Sequence, residues 1–205
     1  MIFLQDHIFS IIIAGILLIA LAQLFQEARE SGIETTSHYS GNIHSLEFIK
    51  VIQQDFQNIG AGLADTSAMI VDYQWDNAAK FFVFRGDVTP ADTSNAIEQI
   101  RYSLVPTDTI MTIVNDSLQS IGAFEVQREV LDGGVYEFTG ASVATIRDFE
   151  ITLRNDLGTI LTANWDSTRQ IDVRMITVPP LATDRTQFHK EWQTTFRPLS
   201  LTMKN

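Results

Sequence analysis

The sequence predicts an α+β protein in which a long N-terminal helix, hydrophobic at its start and amphipathic at its end, packs on an antiparallel β-rich head. Three observations carry that prediction. From Ile8 to Phe25 the chain reads IFSIIIAGILLIALAQLF, with no ionisable side chain. From Ile43 to Ile59 apolar residues recur mostly at spacings of three and four. From Lys80 onward, short runs rich in Val, Ile, Phe, Tyr and Thr follow one another, separated by turn residues. The expected divisions are a transmembrane helix over residues 1–30, its amphipathic continuation over 31–62 and a globular head over 63–205.

The apolar run comes first. Its eighteen residues rise about 27 Å as a helix, just enough for a hydrocarbon core of about 30 Å. Phe3 and Leu4 extend it. A cleaved signal peptide has a basic start and a small-x-small cleavage site, whereas Met1 to His7 holds no Lys or Arg and does hold Asp6. A buried core helix is apolar on one stripe, and this one is apolar on every face, which favours lipid. Arg29 is the only basic residue among the first thirty, so the charge rule for orientation has almost nothing to count.

Gln26 to Glu30 continues with good helix formers, and Ser31-Gly32 and Ser40-Gly41 are the expected places for a kink. The stripe Ile43, Leu46, Ile49, Val51, Ile52, Phe56 and Ile59 then faces the head, and Gly60 and Gly62 end the helix. Leu46, Ile49, Phe56 and Ile59 are the expected helix–head packing residues.

An irregular polar stretch is expected from Asp65 to Asn77. Strands are expected at Lys80–Arg85, Gln99–Val105, Thr109–Val114, Phe124–Leu131, Val135–Phe138, Asp148–Arg154, Thr159–Ala163, Ile171–Val178 and Trp192–Leu201. Asp132-Gly133-Gly134 and Asn155-Asp156-Leu157-Gly158 read as turns. Asp92 to Ile100 reads as a short helix capped by Thr93 or Ser94, Pro179-Pro180 ends a strand, and Thr183 to Gln187 is a polar loop.

Chemistry is sparse. Fourteen Lys+Arg against twenty-five Asp+Glu give a net charge of −11, which argues against sequence-independent nucleic-acid binding. The absence of cysteine removes disulfides, thiolate metal sites and cysteine nucleophiles. His38 and His44 stand six apart, unlike metal pairs at three or four, while His7 belongs at a membrane edge and His189 in a polar loop. The turn carboxylates lack the alternating ligand loop of an EF-hand. Arg85-Gly86-Asp87 and Asn115-Asp116-Ser117 match an adhesion tripeptide and a glycosylation acceptor, both short enough to arise by chance. Phosphate-loop, nucleophile-elbow and zinc-protease motifs are missing. The sequence therefore predicts no enzyme, with no catalytic residue, no cofactor and no metal.

The order of segments resembles that of type IV pilin-like proteins, in particular minor pilins of the PilW kind and the J-type minor pseudopilins of type II secretion. Ala14-Gly15-Ile16-Leu17-Leu18-Ile19 resembles the Ala-Ile-Gly-Leu-Leu-Leu run of their membrane helix. Gln54-Asp55-Phe56-Gln57-Asn58-Ile59-Gly60 resembles the Arg-Asp-Ile-Arg-Gln-Ala-Gly segment that closes their amphipathic helix. Ile100-Arg101-Tyr102-Ser103-Leu104, the Gln127-Arg128-Glu129 strand and the ending Trp192 to Leu199 resemble strands of their head. The start MIFLQDHIF lacks the glycine and the Phe-Thr-Leu-x-Glu of the family's leader junction; Asp6 or His7, or Gln5 in an already processed chain, stands near that glutamate's place. The resemblance implies a filament or secretion-type subunit whose N-terminus is cytoplasmic and whose head is periplasmic or extracellular. It implies contact with the lipid bilayer and with other pilin-like subunits through the N-terminal helix, with Gln5, Asp6, His7 and Gly15 as assembly residues. The alternatives are an uncleaved, membrane-tethered exoplasmic binding module working singly, and a pilin-like structural protein of another membrane-associated machine, such as a viral one.

Overall fold

The computed structural model describes residues 2–64, 69–75, 80–88, 97–107, 110–114, 117–142, 146–177 and 190–202, with backbone alone at 2–6, 34, 37–38, 40–42, 110–114, 117–121, 190, 199 and 202. The chain divides into two compact units, Met1–Tyr39 and Ser40–Asn205.

Helix α1 runs over Ile2–Gln57. The helix assignment passes through Ser31-Gly32 and Ser40-Gly41 without a break. The hydroxyls of Thr35 and Thr36 donate to the carbonyls of Ser31 and Gly32, one turn back along the helix, at 2.8 Å each.

The second unit is built on an antiparallel sheet. Its strands are β1 (Ile70–Gln74), β2 (Lys80–Gly86), β3 (Glu98–Pro106), β6 (Phe124–Asp132), β7 (Val135–Ala141), β8 (Ile146–Arg154), β9 (Gln170–Thr177) and β10 (Lys190–Phe196). The hairpin β4 (Ile110–Val114) and β5 (Ser117–Ile121) forms a separate two-stranded sheet. In the main sheet the order is β1-β2-β3-β6-β8-β9-β10, with β7 also on β6. Strand β6 is thus a fork. It pairs with β3 from Ile100↔Val130 to Pro106↔Phe124 and with β7 from Gln127 to Asp132, but meets β8 at the single pair Phe124↔Ile146.

Alternation sets the buried face. Phe82 and Phe84, Ile100 and Tyr102, Phe149, Ile151 and Leu153, and Ile171, Val173 and Met175 point to one side, while Arg101, Glu129, Glu150, Asp172 and Arg174 point to the other. Two aromatic side chains of the β1 region tie that edge of the sheet to β8. Tyr73 Oη donates to the carbonyl of Ile151 at 2.6 Å and Trp75 Nε1 to that of Phe149 at 3.3 Å.

Strand β1 falls in the stretch expected to be irregular. The run Ile70-Val71-Asp72-Tyr73 is short, flanked by polar residues and bulged between Ile70 and Asp72, so its period-two signal is weak. Residues 159–163 do not form a strand. Only Ile160 bridges Arg154, on the side of β8 away from β9, and Leu161 N–H donates to the Leu153 carbonyl at 2.8 Å. The last strand starts earlier than expected and stops at Phe196; Pro198 follows, and Leu199–Thr202 forms a one-turn helix, α2. Residues 98–100 of the expected 92–100 helix belong to β3. Ile97 precedes that strand with an exposed side chain, and residues 92–96, Pro179-Pro180, Thr183 to Gln187 and His189 lie outside the described residues. Asp132-Gly133-Gly134 turns β6 into β7 with φ of 55° and 90° at the two glycines.

Candidate functional site

Two features of α1 are candidates for function, and each follows from its residues. In the first unit, His7–Ile33 is a helix segment long and apolar enough to cross a membrane, and its side chains are not buried by the chain. Gln5 and Asp6 lie on the helix backbone ahead of this segment, and His7 begins it with an exposed side chain. Gly15 sits inside it; a methyl group added there meets open space.

In the second unit, the end of α1 is seated on the inner face of the sheet. Ile49 is 6% exposed, and Phe56 and Ile59 are 0% exposed. Phe56 is the centre of an aromatic cage, with ring centroids 5.6 Å from Phe82 and Phe84 and 5.4 Å from Tyr102 and Phe196, all four pairs close to edge-on. Leu46 corrects the expectation: it is 49% exposed and does not belong to the seat. At about 100° per residue, Leu46 projects about 100° from the middle of the face that carries Ile49, Ile52, Phe56 and Ile59. Spacings of three and four placed it nearby without fixing which side of the stripe meets the sheet.

The seat also holds a charge that sequence reading missed. Asp55 is buried in the same helix face. Its Oδ2 accepts 2.6 Å hydrogen bonds from Tyr102 Oη and Arg128 Nε, and its Oδ1 accepts a 3.3 Å bond from Arg128 Nη2. Tyr102 on β3 and Arg128 on β6 stand directly opposite each other in the sheet, so both donors converge from one cross-strand pair. Arg128 is further held by Thr139 of β7, 2.9 Å from its Nη1. Burial pushes the Tyr102 phenol well above its ordinary pKa, and the Asp55 carboxylate adds to that. Burial works against the Arg128 charge, and Asp55 more than offsets it. The available signal was a lone carboxylate inside an apolar stripe, three residues after Ile52 and four before Ile59.

Beyond the helix end, residues 58–61 lie along the end of β2. Gly60 N–H donates to the Arg85 carbonyl at 2.7 Å and Asp87 N–H to the Ala61 carbonyl at 2.9 Å. Gly60 has a φ of 75°. Gly86 is glycine because a Cβ there would run into the carbonyl oxygen of Asn58. Ser200 of α2 donates its hydroxyl to the Ile59 carbonyl. The Arg85-Gly86-Asp87 tripeptide is therefore part of this closure, with Arg85 Nε donating to Gln99 at 2.9 Å.

On the opposite sheet face, cross-strand ion pairs take up the arginines. Arg101 meets Glu129, Arg154 meets Asp172, and Arg174 lies among Asp148, Glu150 and Glu191. His44 lies 3.5 Å from Glu47 on α1. Among the described residues, no group of three or more His, Asp or Glu is placed to hold a metal ion. Compared with protein-family profiles, curated proteins and solved structures, the chain finds no match in any of the three.

Proposed function

We propose that this chain is a membrane-anchored, non-enzymatic structural subunit of a filament or secretion-type envelope assembly, of the minor pilin or pseudopilin kind. The observation that carries the reading is the division of labour along α1. Its first part is apolar and unburied, and its last turns are buried by the chain's own sheet. A helix exposing that much apolar surface needs lipid or other apolar helices around it. Small residues at Ala14, Gly15, Ala20 and Ala22 permit close approach of neighbouring helices. The order of segments that resembles pilin-like proteins supports the same reading and supplies its topology, with the N-terminus cytoplasmic and the head periplasmic or extracellular. In this reading Gln5, Asp6 and His7 lie where a neighbouring subunit's amino group or basic residue neutralises Asp6.

The test has two parts. Leu17→Arg places a charge near the middle of the apolar run, at a cost of about 2.5–3.5 kcal/mol for insertion. The variant is expected in a soluble or degraded fraction, and unchanged membrane association would sink the anchor. The native assembly, isolated in mild detergent, is expected to contain several copies or related subunits. A chain that extracts as a monomer favours the singly working tethered module instead. Asp6→Ala is expected to leave expression and insertion normal while removing the chain from the assembly. Co-purification at the natural ratio places Asp6 in the headgroup layer only.

A further inference from the structure

A buried ion pair is a weak warrant for stability, because taking two charges out of water costs much of what their attraction returns. Asp55 and Arg128 need another reason, and the helix supplies one. Its buried face nearly repeats every seven residues. Ile49 is followed by Phe56, Ile52 by Ile59, Ser45 by Ile52, and Phe48 by Asp55. Slid along its axis by that repeat, about 10.5 Å, the helix would still put Ile49 and Ile52 into the places of Phe56 and Ile59, and the small Ser45 into that of Ile52, while Asn42 would enter the place of Ile49. A slide of four residues, about 6 Å, likewise puts Phe48 and Ile52 into the places of Ile52 and Phe56.

Apolar matching along the last turns therefore fixes the axial position only weakly, and Asp55 breaks the near-degeneracy. In the longer slide Phe48 would face the Tyr102–Arg128 pair. In the shorter one Val51 would face it, and Asp55 would enter the fully buried place of Ile59. Either way Arg128 loses its partner in an apolar surround, and in the shorter slide Asp55 does so too. We infer that Asp55, gripped by Arg128 and Tyr102, sets the axial register of α1 on the sheet, the part that one buried polar residue plays in an otherwise uniform helix interface.

The bonds of Gly60, Ala61 and Ser200 also oppose a slide, so the test must separate the pair from them. The chain has no cysteine of its own. Spin labels can therefore be placed at Lys50→Cys and Gln193→Cys, both exposed, in the full chain in detergent, and their separation read by pulsed dipolar spectroscopy. With Asp55 and Arg128 in place, one narrow distance is expected. Asp55→Leu alone is expected to lower the melting temperature by roughly 10 °C, because Arg128 is left buried without its partner. Asp55→Leu with Arg128→Met is expected to recover most of that loss but to show a second distance, displaced by about one helical turn or more. A single, unchanged distance in the double variant overturns the inference and assigns the register to the Gly60–Arg85 closure. A second apolar pairing, Asp55→Met with Arg128→Leu, guards against a packing fault in the first. If both pairings lose cooperative unfolding, the pair serves stability and the inference fails.

Discussion

Phe56→Ala is the sharpest perturbation of the helix seat. The ring is fully buried and has four aromatic neighbours, from β2, β3 and β10, with centroids at 5.4–5.6 Å. Truncating a buried Phe costs about 3–5 kcal/mol, in proportion to how little the site can collapse. Here the cavity walls are rings fixed on sheet strands, so collapse is poor and the upper part of that range, about 4–5 kcal/mol, is expected. Against a domain stability of about 5–15 kcal/mol this is a large fraction. For a chain of this size, each kcal/mol moves the melting temperature by about 2–4 °C. Thermal unfolding of the full chain in detergent, followed by near-ultraviolet circular dichroism, should therefore show a midpoint lower by roughly 8–20 °C. A shift under about 3 °C would refute the reasoning, since it would mean that the rings do not enclose Phe56.

Leu46→Ala is the matching control: the side chain is half exposed, and a change within about 0.5 kcal/mol is expected in the same assay. Gly86→Ala forces a methyl group onto the Asn58 carbonyl, where backbone must give way, and should cost about 1–3 kcal/mol in thermal unfolding. Gly15→Ala meets open space and should leave that midpoint unchanged. Asp172 carries a pH prediction. Burial alone raises its pKa, but hydrogen bonds from Gln170, Thr195 and Arg154 outweigh burial and lower it below the ordinary value. A depressed carboxylate contributes stability above its unfolded pKa of about 3.9 and loses it as pH falls through the lower folded value. The advantage of the native chain over Asp172→Asn in melting temperature should be full at neutral pH and fade below about pH 4; an advantage constant down to pH 2 contradicts the assignment.

The outline of the fold was legible because hydrophobic period is a strong signal where it is long. Eighteen uncharged residues and the Ile171-Val173-Met175 alternation leave little choice of element. Strand β1 was not legible, because its alternation is broken by a bulge and its inward aromatics are explained only by the carbonyls of Phe149 and Ile151, about eighty residues away in sequence. The Thr159–Ala163 run has strand composition but bridges its neighbour at Ile160 alone, and pairing is a property of the sheet, not of the segment. At the seat, Phe56 could be named from spacing, whereas the exposure of Leu46 depends on a rotation that spacing does not fix. Asp55 is a lone carboxylate in the sequence; its partners Tyr102 and Arg128 lie forty-seven and seventy-three residues further on, and nothing local announces them.

The fork at β6 bears on how this unit comes apart. On one side of it lie β1, β2, β3 and β7, and on the other β8, β9 and β10, joined through backbone at one pair of residues. Two such leaves would open independently, each with its own protection against amide exchange, were they not strapped together. The strap is the helix end, whose Phe56 touches Phe82, Phe84 and Tyr102 in one leaf and Phe196 in the other, helped by Tyr73 and Trp75. Cooperativity in this unit is thus lent by a segment outside the sheet. Tension that peels the last turns of α1 from their seat would remove that strap from both leaves at once and leave Tyr73 and Trp75 between them, so a pull on the helix loosens the whole sheet from one point.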